Sequence, residues 1–329
     1  MKIAIDVTQA IYGTGVSQYT RHLVSELLKL KTKDSLILFG GSLRRKAELD
    51  HWIRHQSGAI GKTHRLSPKM AHFLWNTLHL YPVERITGPV DVIHTSDWAE
   101  PPARAPKVTT IHDLAMFKDP QYVHPEVGRV HRKRLFWVIK ESARIIAVSH
   151  ATKNDIIRYL EIDPGRIDVI PEAPTFPPPT LNTHEIVTNQ FRRLGITKPY
   201  ILVPGSGHLR KNIHKAVAAF KRAKLDLLLV IVGRPSEDEA KLASPSVIFT
   251  GFVSDLDMGL LTSQAQVVLF PSLYEGFGLP VLDAFAASVP VVTSDTSSLP
   301  EVAGPAAVLV NPLSEESIAD GIIEGLENR

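Results

Sequence analysis

The sequence contains no cysteine, so it can form neither disulfide bonds nor thiolate metal sites. It also contains no run of about eighteen apolar residues, the length that a bilayer-spanning helix needs. Residues 1–8, MKIAIDVT, lack the apolar stretch and the small-residue cleavage site of a signal peptide. From these absences we expect a cytoplasmic protein, either free or peripheral at the inner face of the membrane.

The two halves of the chain differ in charge, although the formal net charge is only +3. Residues 1–175 hold 25 Lys and Arg against 18 Asp and Glu, a net +7, and residues 176–329 hold 12 against 16, a net −4. A basic first half favours an anionic partner there, such as a phospholipid surface, a lipid phosphate or nucleic acid. An ordinary fluctuation of charge accounts for the same counts.

Short apolar runs alternate with segments of helical period along the whole chain. The runs that resemble buried strands are 3–7, 36–39, 90–94, 107–111, 144–148 and 167–170, followed by 200–203, 227–232, 247–250, 267–270, 289–293 and 307–310. Helical-period segments such as 18–30 lie between most of them. This alternation predicts an α/β fold of βαβ units, with parallel sheets covered by helices on both faces.

A proline-dense stretch, 171–179 (PEAPTFPPP), can continue neither a helix nor a central strand. A chain of 329 residues is long enough for two ordinary domains. We therefore predict a Rossmann-like domain over 1–175, a linker region over 176–198 and a second Rossmann-like domain over 199–329. Because doubly wound sheets bind ligands at the carboxyl ends of their strands, the chemistry is expected in the loops there.

The most informative loop is 271–284, PSLYEGFGLPVLDA, which follows an apolar strand. It offers an acid, Glu275, then two glycines that let a ligand come close to the backbone, and then Pro280 where a first helical turn would begin. The N–H groups of a new helix suit a phosphate, and Asp283 falls one turn further on. The alternative is a strand-to-helix turn that binds nothing.

A second loop, 205–212 (GSGHLRKN), places Arg210 and Lys211 after two glycines and before a helix. Fixed cations stabilise the negative charge that grows on a departing diphosphate. Two solvated surface cations are the alternative.

Two further candidates lie in the first domain. The stretch 13–19, GTGVSQY, has glutamine where a dinucleotide-binding fingerprint needs its third glycine, which disfavours a dehydrogenase. His112 follows the strand 107–111 and is placed to donate to a sugar hydroxyl or to orient an acceptor. A tight turn and a structural histidine are the respective alternatives.

The loop 271–284 resembles the signature of the retaining glycosyltransferase family 4, also called glycosyl transferases group 1. That signature is an acid followed by Gly-Phe-Gly-Leu-Pro, with a second acid eight positions after the first. The resemblance extends to 247–252 (VIFTGF) and 289–302 (VPVVTSDTSSLPEV) and covers nearly the whole chain. It implies the GT-B fold, in which two doubly wound domains face each other across a cleft.

The resemblance also implies roles for single residues. Glu275 would bind hydroxyls of the donor sugar, and Asp283, where the family usually has glutamate, would hold the nucleotide ribose. His112 would contact the donor sugar, and Arg210 and Lys211 would clamp the phosphates. The remaining donor-binding positions that the resemblance implies are Gly13, Gly15, Gly205, Ser206, where many members have a nearby arginine, Gly276, Phe277, Gly278 and Leu279.

The implied activity is transfer of a hexose, with retention, from a nucleotide sugar of the GDP-mannose or UDP-glucose type to a hydroxyl of a glycan or lipid-linked acceptor, as in polysaccharide biosynthesis. No metal, other cofactor or nucleic-acid partner is expected. Two alternatives use the same scaffold, namely a noncatalytic nucleotide- or glycan-binding protein and a sugar-nucleotide epimerase. Family members usually continue past the equivalent of Arg329 into crossover helices, which are therefore expected to be missing here.

The segment 129–138, RVHRKRLFWV, combines five basic residues or histidines with two aromatic residues. That combination suits an anionic membrane interface or a phosphorylated lipid acceptor. In the alternative interpretation the aromatic side chains pack inside and the cations are solvated.

Overall fold

The computed structural model describes residues 1–30, 32–175 and 190–327. The chain divides into two compact units, Met1–Glu172 and Ala173–Arg329. Of the predicted linker region 176–198, residues 176–189 lie outside the described residues, and residues 190–194 are helical. Among the described helices, none is both long and apolar enough to cross a bilayer.

Unit 1 is built on a seven-stranded parallel sheet with the order β3-β2-β1-β4-β5-β6-β7. Its strands are β1 (Lys2–Asp6), β2 (Ser35–Gly41), β3 (Ala59–His64), β4 (Val92–Thr95), β5 (Lys107–Ile111), β6 (Ser142–Ala147) and β7 (Ile167–Val169). The order reverses between β1 and β4, which makes this the switch point of a doubly wound sheet.

The α-helices in the described part of unit 1 are α1 (Gly15–Lys29), α2 (Lys46–Arg54), α3 (Pro68–Ala71), α4 (Glu84–Thr87), α5 (Ala115–Lys118), α6 (Pro125–Glu141) and α7 (His150–Leu160). A π-helical turn, His72–Thr77, continues directly from α3. The first helix begins where the sequence provides a reciprocal cap, because the Thr14 side chain accepts from the Ser17 N–H and the Ser17 side chain accepts from the Thr14 N–H.

Unit 2 is built on a six-stranded parallel sheet with the order β10-β9-β8-β11-β12-β13. Its strands are β8 (Tyr200–Pro204), β9 (Leu228–Val232), β10 (Val247–Phe249), β11 (Val267–Phe270), β12 (Val291–Ser294) and β13 (Val308–Val310). Successive residues of β9 enter different apolar cores, Leu229 and Ile231 on one face and Val230 on the other. Helices cover both faces, which explains why these strands are uninterrupted apolar runs.

The labelled helices of unit 2 are α8 (Ile213–Ala223), α9 (Glu237–Ala240), α10 (Asp255–Ser263), α11 (Leu279–Ala286), α12 (Leu299–Ala303) and α13 (Glu315–Glu327). The strand order reverses between β8 and β11. The loops 205–212 and 271–278 follow these two neighbouring strands, so they meet at the switch point where doubly wound sheets bind ligands. The α/β class predicted from the sequence is confirmed in both units.

Candidate active site

The structure brings the acid of one predicted loop onto both cations of the other. Arg210 Nη1 donates to Glu275 Oε2 at 2.5 Å, and Lys211 Nζ donates to Glu275 Oε1 at 2.7 Å. Each carboxylate oxygen therefore has its own cation, although the residues lie 65 and 64 positions apart in the chain. The three side chains form one charge cluster at the β8/β11 switch point.

The cluster controls the ionisation of its acid. Burial alone would raise the pKa of Glu275, but the attraction of Lys211 and Arg210, together with the hydrogen bonds they donate, lowers the pKa to about 2. The carboxylate is therefore ionised at neutral pH and can only accept hydrogen bonds. A sugar hydroxyl is the kind of donor that such a group recognises.

Backbone geometry holds the two cations in place. Gly205 has φ +92, and a Cβ there would lie 3.3 Å from Lys211 Cε, so glycine leaves room for the lysine stem. Asn212 adopts a left-handed conformation and donates from Nδ2 to the carbonyls of Pro271 and Pro312. The Leu273 N–H donates to the Arg210 carbonyl at 2.8 Å, which joins the two loops directly.

Two serines that sequence reasoning missed hold the loop of Glu275. Ser297 Oγ accepts from the Glu275 N–H, and Ser298 Oγ donates to the carbonyls of Glu275 and Phe277. Both lie within the predicted family stretch 289–302, so their presence was visible in the sequence although their contacts were not. They are positioning residues for the acid.

The glycine-rich turn leads into α11 as predicted, with Leu279 as the first helical residue and Pro280 as the second. Gly278 has φ +121, and a Cβ there would approach Leu299 Cδ2 to 2.8 Å. Glycine is therefore required at this position by backbone and packing alone. Phe277 is buried, and Gly276 lies between it and Glu275.

Asp283 lies in α11 with its carboxylate engaged inside unit 2. Its Oδ1 accepts from the Thr175 N–H at 2.6 Å, and its Oδ2 accepts from the Thr175 hydroxyl. Both residues are buried. The ribose contact that the family resemblance implies stays a prediction, and a ribose would have to share this carboxylate with Thr175.

Ser206 lies in the same loop as the two cations. Among the described residues, its buried Oγ has no hydrogen-bond partner. A Cβ at Gly233 would lie 2.8 Å from this oxygen, so glycine makes the space it occupies. Glu239 was not among the site residues predicted from the sequence. Its buried carboxylate accepts from the Gly207 N–H and fixes the adjoining turn.

His112 lies directly after β5 in unit 1. Its Nδ1 is 3.0 Å from Glu172 Oε1, and its ring meets the Tyr19 ring edge-on with centroids 4.6 Å apart. Its Nε2 is buried and has no hydrogen-bond partner among the described residues. A carboxylate on Nδ1 fixes the ring and favours a proton there, which leaves Nε2 for a ligand.

Gly13 and Gly15 differ in whether the fold requires glycine at their positions. Gly13 has φ +69, which favours glycine at that turn. Gly15 is the first residue of α1, and a Cβ there would meet nothing within 4 Å. Nothing described in unit 1 therefore requires glycine at position 15.

Asp6 is a further candidate site residue, which the motifs described above did not include. It ends β1 at the switch point of unit 1, and its Oδ1 accepts from the Thr8 N–H. Removal of water raises its pKa to about 6, despite the hydrogen bonds from Thr8. The sequence feature that could have identified it is an acidic residue at the carboxyl end of an apolar strand.

Comparison with known proteins agrees with this architecture. Residues 13–173 match the model of the family described as Glycosyltransferase Family 4, and residues 187–329 match that of Glycosyl transferases group 1. The chain is 26% identical over 352 residues to O-antigen chain mannosyltransferase B of Escherichia coli, which covers 96% of this chain and 87% of the relative. It is 24% identical over 316 residues to O-antigen chain mannosyltransferase RfbU of Salmonella typhimurium, covering 93% and 85%.

Among solved structures, sucrose-phosphate synthase of Thermosynechococcus elongatus superposes with a TM-score of 0.71 at 18% identity, over 100% of this chain and 90% of the other. Two doubly wound parallel sheets and these matches define a glycosyltransferase enzyme of the GT-B fold. Within that class, the chain belongs to glycosyltransferase family 4.

Proposed function

We propose that this enzyme transfers mannose, with retention of configuration, from a nucleotide-mannose donor to a hydroxyl of a growing glycan or lipid-linked saccharide. The observation that carries the proposal is the partly buried cluster of Glu275, Arg210 and Lys211 at the switch point of unit 2. Both curated relatives described above are named mannosyltransferases that act on O-antigen chains, which favours mannose over other hexoses.

The charges of the cluster match the two parts of such a donor. In this proposal the diphosphate pairs with the guanidinium and the ammonium, and the Ser206 hydroxyl donates a further hydrogen bond to it. The ionised carboxylate of Glu275 accepts hydrogen bonds from sugar hydroxyls and so orients the ring. Electrostatic stabilisation of the departing diphosphate is the main catalytic contribution of this unit.

In the proposed step, the bond between the anomeric carbon and the diphosphate oxygen breaks, and the acceptor oxygen bonds to that carbon on the same face. The acceptor proton passes to the oxygen of the leaving diphosphate. No second carboxylate is needed opposite Glu275, in contrast to the paired acids of a retaining glycosidase. In this proposal the Nε2 atom of His112 hydrogen-bonds a substrate hydroxyl, and Glu172 fixes the ring through Nδ1.

The cations that stabilise the leaving group are side chains, so we propose that catalysis needs no metal. We expect prolonged dialysis against EDTA to leave the transfer rate unchanged. A rate that EDTA abolishes and magnesium restores would contradict this part of the proposal.

The test is a thermal-shift screen with GDP, UDP, ADP and their sugar conjugates, followed by transfer assays with the stabilising donor. A ligand that binds only the native state raises the melting temperature. We expect the nucleotides of one base to raise the melting temperature of the wild type but not that of Lys211→Ala. Lys221 is an exposed lysine of the same unit, and Lys221→Ala should respond as the wild type does. Failure of every mannose conjugate to support transfer, while another sugar nucleotide supports it, would overturn the mannose assignment.

A further inference from the structure

Unit 1 carries a concentrated set of exposed apolar side chains beside α6. Residues 68–82 run through α3, the π-helical turn and a loop. Phe73 and Leu80 are 57% and 58% exposed, which is unusual for side chains of this size. We call the following set the apolar face: Met70, Phe73, Leu78, Leu80, Tyr81 and Phe136.

The loop that holds much of this face is fixed in an uncommon conformation. His79 and Tyr81 both have positive φ, 53 and 70, which costs free energy in residues other than glycine. The structure holds them there, since Trp75 Nε1 donates to the Tyr81 carbonyl and the Leu80 N–H donates to the Leu74 carbonyl. These hydrogen bonds hold the loop in the conformation that exposes Leu78 and Leu80.

His79 anchors the same loop to α6. Its ring stacks on Trp137 with centroids 3.4 Å apart, its Nδ1 lies 2.8 Å from the Trp75 carbonyl, and its Nε2 pairs with Glu141 at 2.8 Å. Trp137 is consequently a support beneath the face, and its Nε1 donates to the Asn76 carbonyl. Phe136, the next residue, is exposed.

Positive charge lies beside the apolar face. Residues 66–83 and 127–140 contain no aspartate or glutamate. Lys140 Nζ lies 4.1 Å from the centre of the Phe136 ring, Lys133 Nζ donates to Thr77 Oγ1, and Arg85 lies over the Tyr81 ring. Two adjoining acids already have partners, since Glu141 pairs with Lys107 and His79, and Glu84 accepts from the backbone N–H groups of 104 and 105.

We propose that the apolar face docks on an anionic phospholipid surface, with its apolar side chains at the acyl boundary and its cations at the phosphate headgroups. Exposed apolar groups ringed by cations are the combination that binds such surfaces. This corrects the expectation for 129–138 at two residues. Arg134 is 3% exposed and donates to Thr109 Oγ1, and Trp137 is stacked beneath His79.

The test is flotation of the purified full chain with vesicles of phosphatidylcholine alone or of equal parts phosphatidylcholine and phosphatidylglycerol. We expect binding to the anionic vesicles only, weakened by salt. Lys133→Gln with Lys140→Gln should weaken it by roughly fivefold per charge removed. Phe73→Ser with Leu80→Ser should weaken it by roughly tenfold or more.

Matched controls in the same unit are Ile60→Ser and Lys62→Gln, both on β3 and both exposed. They should bind as the wild type does, and circular dichroism should show that all variants are folded. Equal losses in the controls and the face variants, or no binding by the wild type, would overturn the proposal. So would a dimer on gel filtration that the face variants convert to monomer, because the face would then be an interface between copies. The outcome is independent of the sugar that the enzyme transfers.

Discussion

The carboxylate of Asp283 accepts hydrogen bonds from both the backbone N–H and the hydroxyl of Thr175, 108 residues earlier in the chain. This pair ties the first residues of unit 2 to helix α11, which begins at the glycine-rich turn. A residue expected only to bind a ligand therefore also has a structural partner.

Replacing Thr175 tests that partnership. We expect Thr175→Val to remove one of the two hydrogen bonds and to lower the free energy of unfolding of unit 2 by about 1–3 kcal/mol, because a buried carboxylate loses one of its hydrogen-bond donors. Calorimetry of Thr175→Val, Asp283→Asn and the double variant gives the coupling. Strictly additive losses would show that the two side chains do not stabilise each other.

The charge cluster gives the sharpest prediction about catalysis. We expect Lys211→Ala and Glu275→Gln to lower kcat/KM by roughly a hundredfold or more, since on the proposed function each removes a charge that contacts the donor. Lys221→Ala is the matched control. Transfer at the wild-type rate by either site variant, once its folding has been checked, would exclude the assigned roles.

The lowered pKa of Glu275 predicts a dependence of stability on acid. A folded-state pKa of about 2 lies below the ordinary value of 4.5, so the stabilisation is complete above about pH 4.5 and is lost as the pH falls towards 2. Its full size is on the order of 3 kcal/mol. When the free energy of unfolding from calorimetry is plotted against pH, the wild type should lose stability more steeply between pH 4.5 and 2 than Glu275→Gln does. Parallel plots would contradict the ion pairs.

Asp6 predicts the opposite trend in unit 1. Its folded-state pKa of about 6 lies above the ordinary 3.8, so its ionisation destabilises the fold as the pH rises from about 3.8 through 6. Asp6→Asn should therefore raise the free energy of unfolding at pH 7.5 by on the order of 1–2 kcal/mol and add nothing at pH 3.5. All four tryptophans lie in residues 52–137, so their fluorescence reports on unit 1. A loss of stability at pH 7.5 would contradict the raised pKa.

Gly15 separates folding from binding. A methyl group at this position meets nothing within 4 Å, and alanine favours a helix over glycine by about 1 kcal/mol. We expect Gly15→Ala to melt no lower than the wild type and yet to bind the nucleotide sugar less well, if the ligand approaches the backbone there. Gly128→Ala in α6 is the control. Unchanged affinity, measured by titration calorimetry, would leave Gly15 without a role in binding.

Most strands were predictable from the sequence because buried parallel strands are continuous apolar runs. The segments 107–111 and 267–270 coincide with β5 and β11. The exception is β3, Ala59–His64, an edge strand whose residues are largely exposed and whose sequence AIGKTH contains no apolar run. Its pairing with β2 is set by the sheet rather than by its own composition.

The residue types of the site were likewise visible, whereas their contacts were not. Local sequence placed Glu275 and Lys211 in separate loops, and only the strand order, which sets β8 beside β11, brings them together. Arg134 shows the converse, because a run of four basic or histidine residues on one helix does not reveal which of them turns inward. That depends on Thr109 of a neighbouring strand.

Within the cluster at the switch point, Glu275 also acts as a counter-ion for the two cations. Glu275 pairs with both cations, so its single negative charge offsets one of their two positive charges. On the proposed function, a weakly charged anion gains little by displacing a carboxylate that already pairs with two cations. A nucleotide sugar brings a diphosphate with enough charge to pair with both cations, and sugar hydroxyls that donate to the displaced carboxylate. On the proposed function, selectivity for a sugar diphosphate over the plain anions of the surrounding solution arises from this exchange of partners within a partly buried set of charges.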